Sequence, residues 1–423
     1  MTAVPRPWDA RAAAETAARQ SYGRLLAVLA ARSRDVAAAE DALADAFATA
    51  LEQWPRNGVP DRPEAWLLTV VRRRAIDRQR HLKVGIDAQD HLLLIGEESK
   101  AMELKADSED VPDKRLALMF ACAHPAINPE IRAPLILQTV LGFDATTIAS
   151  AFLVAPATMG QRLVRAKTRI RQTGIPFRLP DRADLPERLD AVLEAIYAAF
   201  TEGWSDPAGG DSRRRDLAGE AIWLGRLVAS LMPGEPEALG LLALMLYAEA
   251  RREARRTAGG DYVPLADQDI ALWDDAMIDD AEQMLACAMR LAQPGRYQIE
   301  AALQSAHCAR RQTGRTDWPA IAELYRMLGR LSYSPVVEVN RAVALAESGH
   351  AKAGLAILDR LSADRRLADY QPYWAARGIV LTRLDHNDSA REAYRRAIAL
   401  ERDPAVQRFL QGRMDELPTS LLN

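Results

Sequence analysis

The residues best equipped for chemistry in this chain are cations set at helical spacing. Residues 144–171, DATTIASAFLVAPATMGQRLVRAKTRIR, place Ile148, Ala149, Phe152 and Leu153 on one face of a short helix, with Asp144 or Thr146 to cap its start. The chain breaks at Ala155-Pro156, because proline disfavours helix before it and suits the first turn after it. The following helix turns Met159, Leu163, Ala166 and Ile170 inward. Gln161, Arg162, Arg165, Lys167, Arg169 and Arg171 remain for solvent or a polyanion. This is the pattern of a helix-turn-helix with a recognition helix. A surface helix whose arginines merely snorkel gives the same pattern, so context must decide.

Other reactive-looking groups point away from catalysis. Asp274, Asp275, Asp279 and Asp280 resemble the aspartate-rich motifs that hold Mg²⁺ on a diphosphate. No second acidic motif accompanies them, and they read instead as a helix start with acidic residues at its positive end. Asp267 and Asp269, near Gly259-Gly260-Asp261, read as turn and cap residues. Cys122 and His124 stand two residues apart, too close to share a helix face, and His124-Pro125 reads as a helix-ending bend. Cys122, Cys287 and Cys308 form no C-x-x-C pair. The expectation is no metal, no cofactor, no enzymatic activity and a reducing cytoplasmic setting. Nothing resembles a signal peptide or a membrane span, so no membrane partner is expected.

The elements that must position these cations are helical. The 423 residues are rich in alanine, leucine and arginine, with 6% aromatics and few alternating β-branched runs, which gives an all-α class. The net charge of −3 is unevenly spread: residues 1–174 hold 24 Lys+Arg against 21 Asp+Glu, and the remainder 31 against 37. The first part is therefore the candidate for nucleic acid.

Residues 1–82 read as a helical domain. Ser21 to Ala31 is apolar-periodic. Residues 35–54 turn Ala39, Leu43, Phe47 and Leu51 inward and Asp35, Glu40, Asp41, Asp45 and Glu52 outward. That acidic face is either simply solvated or a dock for a basic partner. A loop from Pro55 to Pro63 leads to PEAWLLTVVRRRAIDRQRH. There Trp66, Leu67, Val70, Val71 and Ile76 form the core side, while Arg72, Arg73, Arg74, Arg78, Arg80, His81 and Lys83 crowd the C-terminal half. So many cations exceed what the helix dipole needs and suit phosphate neutralisation.

An acidic AEDALADAF helix, an AWLLTVVRRRAIDRQR helix, a linker and a helix-turn-helix ending in QRLVRAKTRIR resemble, over roughly residues 15–175, a bacterial RNA polymerase sigma factor of the extracytoplasmic-function type. The resemblance implies that the Ala38 to Trp54 helix docks on RNA polymerase core enzyme through Asp41, Asp45, Phe47 and Glu52. It implies that Arg72, Arg73, Arg74, Arg78 and Arg80 meet the opened −10 promoter element, with Asp77 holding an arginine in position. It also implies that Thr158, Gln161, Arg162 and Arg165 face the −35 element in promoter DNA, with Lys167 and Arg169 nearer phosphate. Residues 83–112, eight acids against three lysines, form the linker between these domains. Residues 113–175 form the second domain. Many family members place a valine, a small polar and a basic residue where this chain has Met159-Gly160-Gln161. A glycine there costs about 1 kcal/mol of helix stability relative to alanine.

Residues 176–423 read as a helical-hairpin array. Aligning VVEVNRAVALAESGHAKAGLAILDRL with PYWAARGIVLTRLDHNDSAREAYRRAIAL pairs Arg341 with Gly378 and Ala353 with Ala390, near the tetratricopeptide period of about 34 residues. LMFACAHPAI, FTEGW and DQDIALWD resemble a sigma-factor subgroup with a tetratricopeptide-like C-terminal extension. In that subgroup the extension is thought to regulate sigma activity, which leaves room for a protein or peptide partner. A conventional helix-turn-helix regulator with a ligand- or peptide-sensing repeat domain is the alternative. So is a repeat-based interaction scaffold.

Overall fold

A computed structural model describes residues 14, 21–23, 25–30, 33, 35–82, 111–152, 154–175, 180–181, 183–204, 212–332 and 334–418. Among these residues the chain is all-α, with one isolated bridge between Arg256 and Tyr262. It forms two compact units, one from Met1–Gly203 with Arg213–Leu227 and one from Trp204–Ser212 with Val228–Asn423.

The first unit is built around a helix whose last two turns carry no polar face. Helix α3 (Val111–Cys122) carries LALMFAC, and every residue from Leu116 to Ala123 is buried. Turns that are apolar all round must be covered all round. Helix α4 (Pro129–Leu141) packs along it, and α7 (Leu185–Trp204) and α8 (Ser212–Leu231) each reach it through a side-chain contact. Arg188 of α7 donates to the Phe120 carbonyl, and Arg115 pairs with Glu220 of α8 beneath the Trp223 ring. The compact unit thus continues past residue 175 into α7 and most of α8.

Helices α1 (Val36–Asn57) and α2 (Pro63–Leu82) pack as a pair. Trp54 and Trp66 meet edge to face at 5.5 Å between them. The Asp35 side chain caps α1 by accepting from the Ala38 N–H at 3.1 Å. The expected loop at Pro55 gives way to helix as far as Asn57. Proline already has a helical φ and removes only one hydrogen bond, and the last turn closes through Gly58 N–H to Trp54 O. Residues 21–23 and 25–30 are also helical, with Leu25, Leu26, Ala27 and Ala30 buried. The acidic stretch 83–110 lies outside the described residues.

The second unit repeats the same logic. Helix α9 (Pro236–Glu249), PEALGLLALMLYAE, is buried at Pro236 and throughout from Ala238 to Ala248. Helices α10 (Asp275–Arg290) and α11 (Arg296–Cys308) flank it. Glu237 of α9 accepts the Tyr297 and Gln298 N–H groups at 2.9 and 3.1 Å, satisfying the first turn of α11. Asp274 caps α10 through the Met277 N–H at 2.9 Å, while Asp275 and Asp279 hold Arg311 at 3.1 and 2.5 Å. The aspartate-rich stretch is therefore occupied by a cap and ion pairs.

Helical hairpins follow: α12 (Arg310–Thr313), α13 (Trp318–Leu331), α14 (Pro335–Glu347), α15 (Ala351–Leu361), α16 (Gln371–Thr382), α17 (Asn387–Leu400) and α18 (Pro404–Asp415). Residues paired by the 37-residue offset fall on matching helices, 341 with 378 on α14 and α16, 353 with 390 on α15 and α17. Close approach depends on glycine. A Cβ on Gly354 would stand 2.5 Å from the Ala342 carbonyl oxygen, and one on Gly378 2.7 Å from the Tyr394 ring. The loop after α9 reaches the last helix through Arg256 with Asp403, Asp261 with Arg408 and Tyr262 against Phe409.

Candidate nucleic-acid and polymerase interface

The motif at 144–171 folds as α5 (Ala145–Ala151), a short connection and α6 (Pro156–Thr173). Of the two candidate caps, Asp144 acts. Its carboxylate accepts the Thr146 and Thr147 N–H groups at 2.8 and 2.9 Å, and these bonds, that of Thr147 foremost, hold it below the usual carboxylate range. Ile148 and Ala149 are buried; Leu153 lies outside the described residues. In α6 the buried residues are Met159, Leu163, Ala166 and Ile170, the face its periodicity indicates.

The opposite face of α6 is cationic and accessible. Thr158, Gln161, Arg162, Arg165 and Arg169 are exposed. Arg162 lies 3.5 Å from Glu130, a pair too open to water to hold it firmly. Lys167 differs, because its ammonium is bonded to Glu40 of α1 and both side chains are largely covered. One turn on, Arg171 stands 3.8 Å from Asp35. Burial pushes the Glu40 carboxyl above its ordinary range despite Lys167, and its second oxygen, Oε1, is buried without a hydrogen-bond partner.

On α1, Asp41 and Glu52 are exposed and Asp45 and Phe47 half-buried. Leu51, expected inward, is 49% exposed beside them, an apolar addition to the acidic face. On α2, Arg72 is half-buried and Arg73 exposed. Arg73 lines an open cleft of about 290 Å³ with Thr49, Gln53, Trp66, Thr69 and Val70. Arg74, Arg78 and Arg80 sit on the C-terminal half of α2, their side chains outside the described residues, as is that of Asp77. Elsewhere, burial pushes the Cys122 thiol up to about 12, and His124 Nδ1 accepts the Ala126 N–H in the bend after α3.

Residues 18–83, the α1–α2 pair with the helical segment before it, match sigma-70 region 2. Residues 188–289 match a family of unknown function, DUF6596. An uncharacterized protein of Rhizobium meliloti (strain 1021) is 39% identical over 400 residues, spanning 94% of this chain and 93% of its own. The two belong to one family. The sigma-70 region 2 match supports a sigma-factor role in transcription initiation, with RNA polymerase core as the partner. No solved structure matches the chain. Among the described residues, no helix is long and apolar enough to cross a membrane.

Neither the Glu40–Lys167 pair nor the close approach of Gly23 to the Val140 carbonyl is signalled in the sequence. Both are contacts between segments far apart in the chain, and neither residue type carries a local signal of its partner.

Proposed function

We propose that this protein is an alternative sigma factor of the extracytoplasmic-function type, acting in the cytoplasm without catalytic residues or a cofactor of its own. In this reading α1 docks on polymerase through Asp41, Asp45, Phe47 and Glu52. The arginines of α2, from Arg72 to Arg80, take the melted −10 strand, whose phosphates and base faces suit a cationic surface beside an aromatic cleft. Thr158, Gln161, Arg162 and Arg165 of α6 read the −35 element, and Arg169 holds phosphate. The tetratricopeptide-like extension regulates this activity and offers its hairpins to a protein or peptide.

The observation that carries the reading is the pairing of a sigma-70 region 2 domain with a second helix that exposes Arg162, Arg165 and Arg169. In vitro transcription with purified core polymerase tests it. Arg162→Ala with Arg165→Ala is expected to abolish promoter-directed initiation while core binding persists, since such base contacts contribute about 1–3 kcal/mol each. A chain that binds duplex operator tightly without core, and never initiates with it, is a conventional regulator instead.

A further inference from the structure

The run Arg251-Arg252-Glu253-Ala254-Arg255-Arg256, just past α9, holds arginines of two kinds. Arg252 pairs with Glu249 at 2.7 Å, and Arg256 pairs with Asp403. Arg251 and Arg255, four residues apart, are paired with no carboxylate among the described residues. Neither is Arg310 beyond α11, although its neighbour Arg311 holds both Asp275 and Asp279.

The three unpaired guanidiniums gather around two indoles. Arg251 and Arg310 stand 6.0 and 5.3 Å from the centre of the Trp273 ring, and Arg255 lies 3.6 Å from that of Trp204. Their hydrogen bonds go to neutral oxygens. Arg251 donates to the Tyr247 carbonyl at 3.0 Å and to Gln304, Arg255 to the Trp204 carbonyl at 2.8 Å, and Arg310 to the carbonyls of Ala266 and Gln268. Neutral oxygens satisfy donors but leave the charge in place, and Arg251 is only 5% exposed. The carboxyl end of α9 offers roughly half a negative charge against three cations. Burial, then the guanidiniums of Arg252, Arg256 and Arg251, outweighs Tyr262 and lowers Arg255 to about 10. The indoles lack acceptors in turn: the Nε1 atoms of Trp204 and Trp273 are both buried without a hydrogen-bond partner, and Trp273 is 6% exposed.

We propose that Arg251, Arg255 and Arg310, with the indole N–H groups of Trp204 and Trp273, form a site for a multivalent oxyanion of the phosphate class. Such an ion supplies what the cluster lacks, negative charge and acceptors together. Phosphate carries four oxygens and about 1.5 to 2 negative charges at neutral pH, and guanidinium forks match its edges. A carboxylate brings two oxygens and one charge. The stretches FTEGW and DQDIALWD, which no promoter or polymerase contact explains, supply the two indoles. Every residue of the site belongs to the second unit, so the proposal does not rest on the sigma-factor reading.

The test titrates the full chain, isotope-labelled at its tryptophan indole nitrogens, with inorganic phosphate, and uses chloride at equal ionic strength as the control. Of the eight tryptophan indole signals, the two assigned by Trp204→Phe and Trp273→Phe should move downfield and saturate. Arg255→Met and Arg310→Gln should each weaken phosphate binding about tenfold or more. Arg395→Gln, in an exposed ion pair of the hairpin array, should leave it within about twofold. Should Arg255→Met fail to fold, Arg255→Lys takes its place, keeping the charge but losing the planar fork, with an expected loss of about threefold or more. A phosphomonoester such as glycerol phosphate separates the sources. Binding of phosphate alone marks a site for the free ion, binding of the ester at least as tightly marks the phosphate of a larger molecule, and both bear out the cluster. Indole shifts no different from those in chloride overturn the proposal, as does phosphate affinity unchanged in folded Arg255→Met and Arg310→Gln.

Discussion

Arg115 sets its guanidinium 4.9 Å from the centre of the Trp223 ring while pairing with Glu220, so a residue of α3 is held by α8 from the far side of more than a hundred residues. The Arg115 side chain is only 12% exposed. Arg115→Ala removes an ion pair and a cation–π contact and leaves Glu220 without its partner. A loss of about 2–3 kcal/mol is expected, read as a lower denaturation midpoint of the first unit. A chain ending at residue 175 loses the same partners and should melt earlier than one ending at residue 231.

Gly160 sits inside α6 with nothing within 4 Å of an added Cβ. The fold itself therefore gives no reason for a glycine there. Gly160→Ala should stabilise α6 by about 0.5–1 kcal/mol, seen as a higher melting temperature. If the bare backbone serves DNA approach, the same variant loses promoter affinity, measured by titration of the promoter complex with core.

Two glycines of the hairpin array separate packing from propensity. Gly378→Ala puts a methyl 2.7 Å from the Tyr394 ring and should cost about 1–3 kcal/mol in urea unfolding. Gly412→Ala, with open space around it on α18, should instead stabilise by up to about 1 kcal/mol. Equal effects at both sites would contradict the close approach of α16 to α17.

His307 couples the second unit to pH. Burial first, then Arg251 and Arg310, lowers its pKa to about 4. A lowered histidine pKa favours the neutral ring in the fold, so its contribution is full above the unfolded value near 6.5 and is lost as pH falls toward 4. That loss amounts to roughly 2–3 kcal/mol. His307→Gln should flatten the dependence of the unfolding midpoint on pH across this window.

Much of the architecture could be read locally. The inward face of α6, the Asp144 cap, the proline that opens α6 and the 37-residue hairpin offset all follow from helical periodicity and capping chemistry, which act within a few residues. The acidic face of α1 and the arginines of α2 were legible for the same reason, and they carried the resemblance to sigma factors. The exception within reach was Pro55, where one lost hydrogen bond proved too small to end a helix that Gly58 could close.

What the chain order by itself determined was which face of each helix seeks cover. The all-apolar stretches around Met119 and Leu242 had to be enclosed, but periodicity does not name the enclosing helix. Only the tertiary structure decided that Arg188 of α7 and Glu220 of α8 reach α3, that Gly23 meets Val140, and that Lys167 finds Glu40 across 127 residues. Such contacts depend on how whole helices pack, and neither partner's local sequence encodes the position of the other.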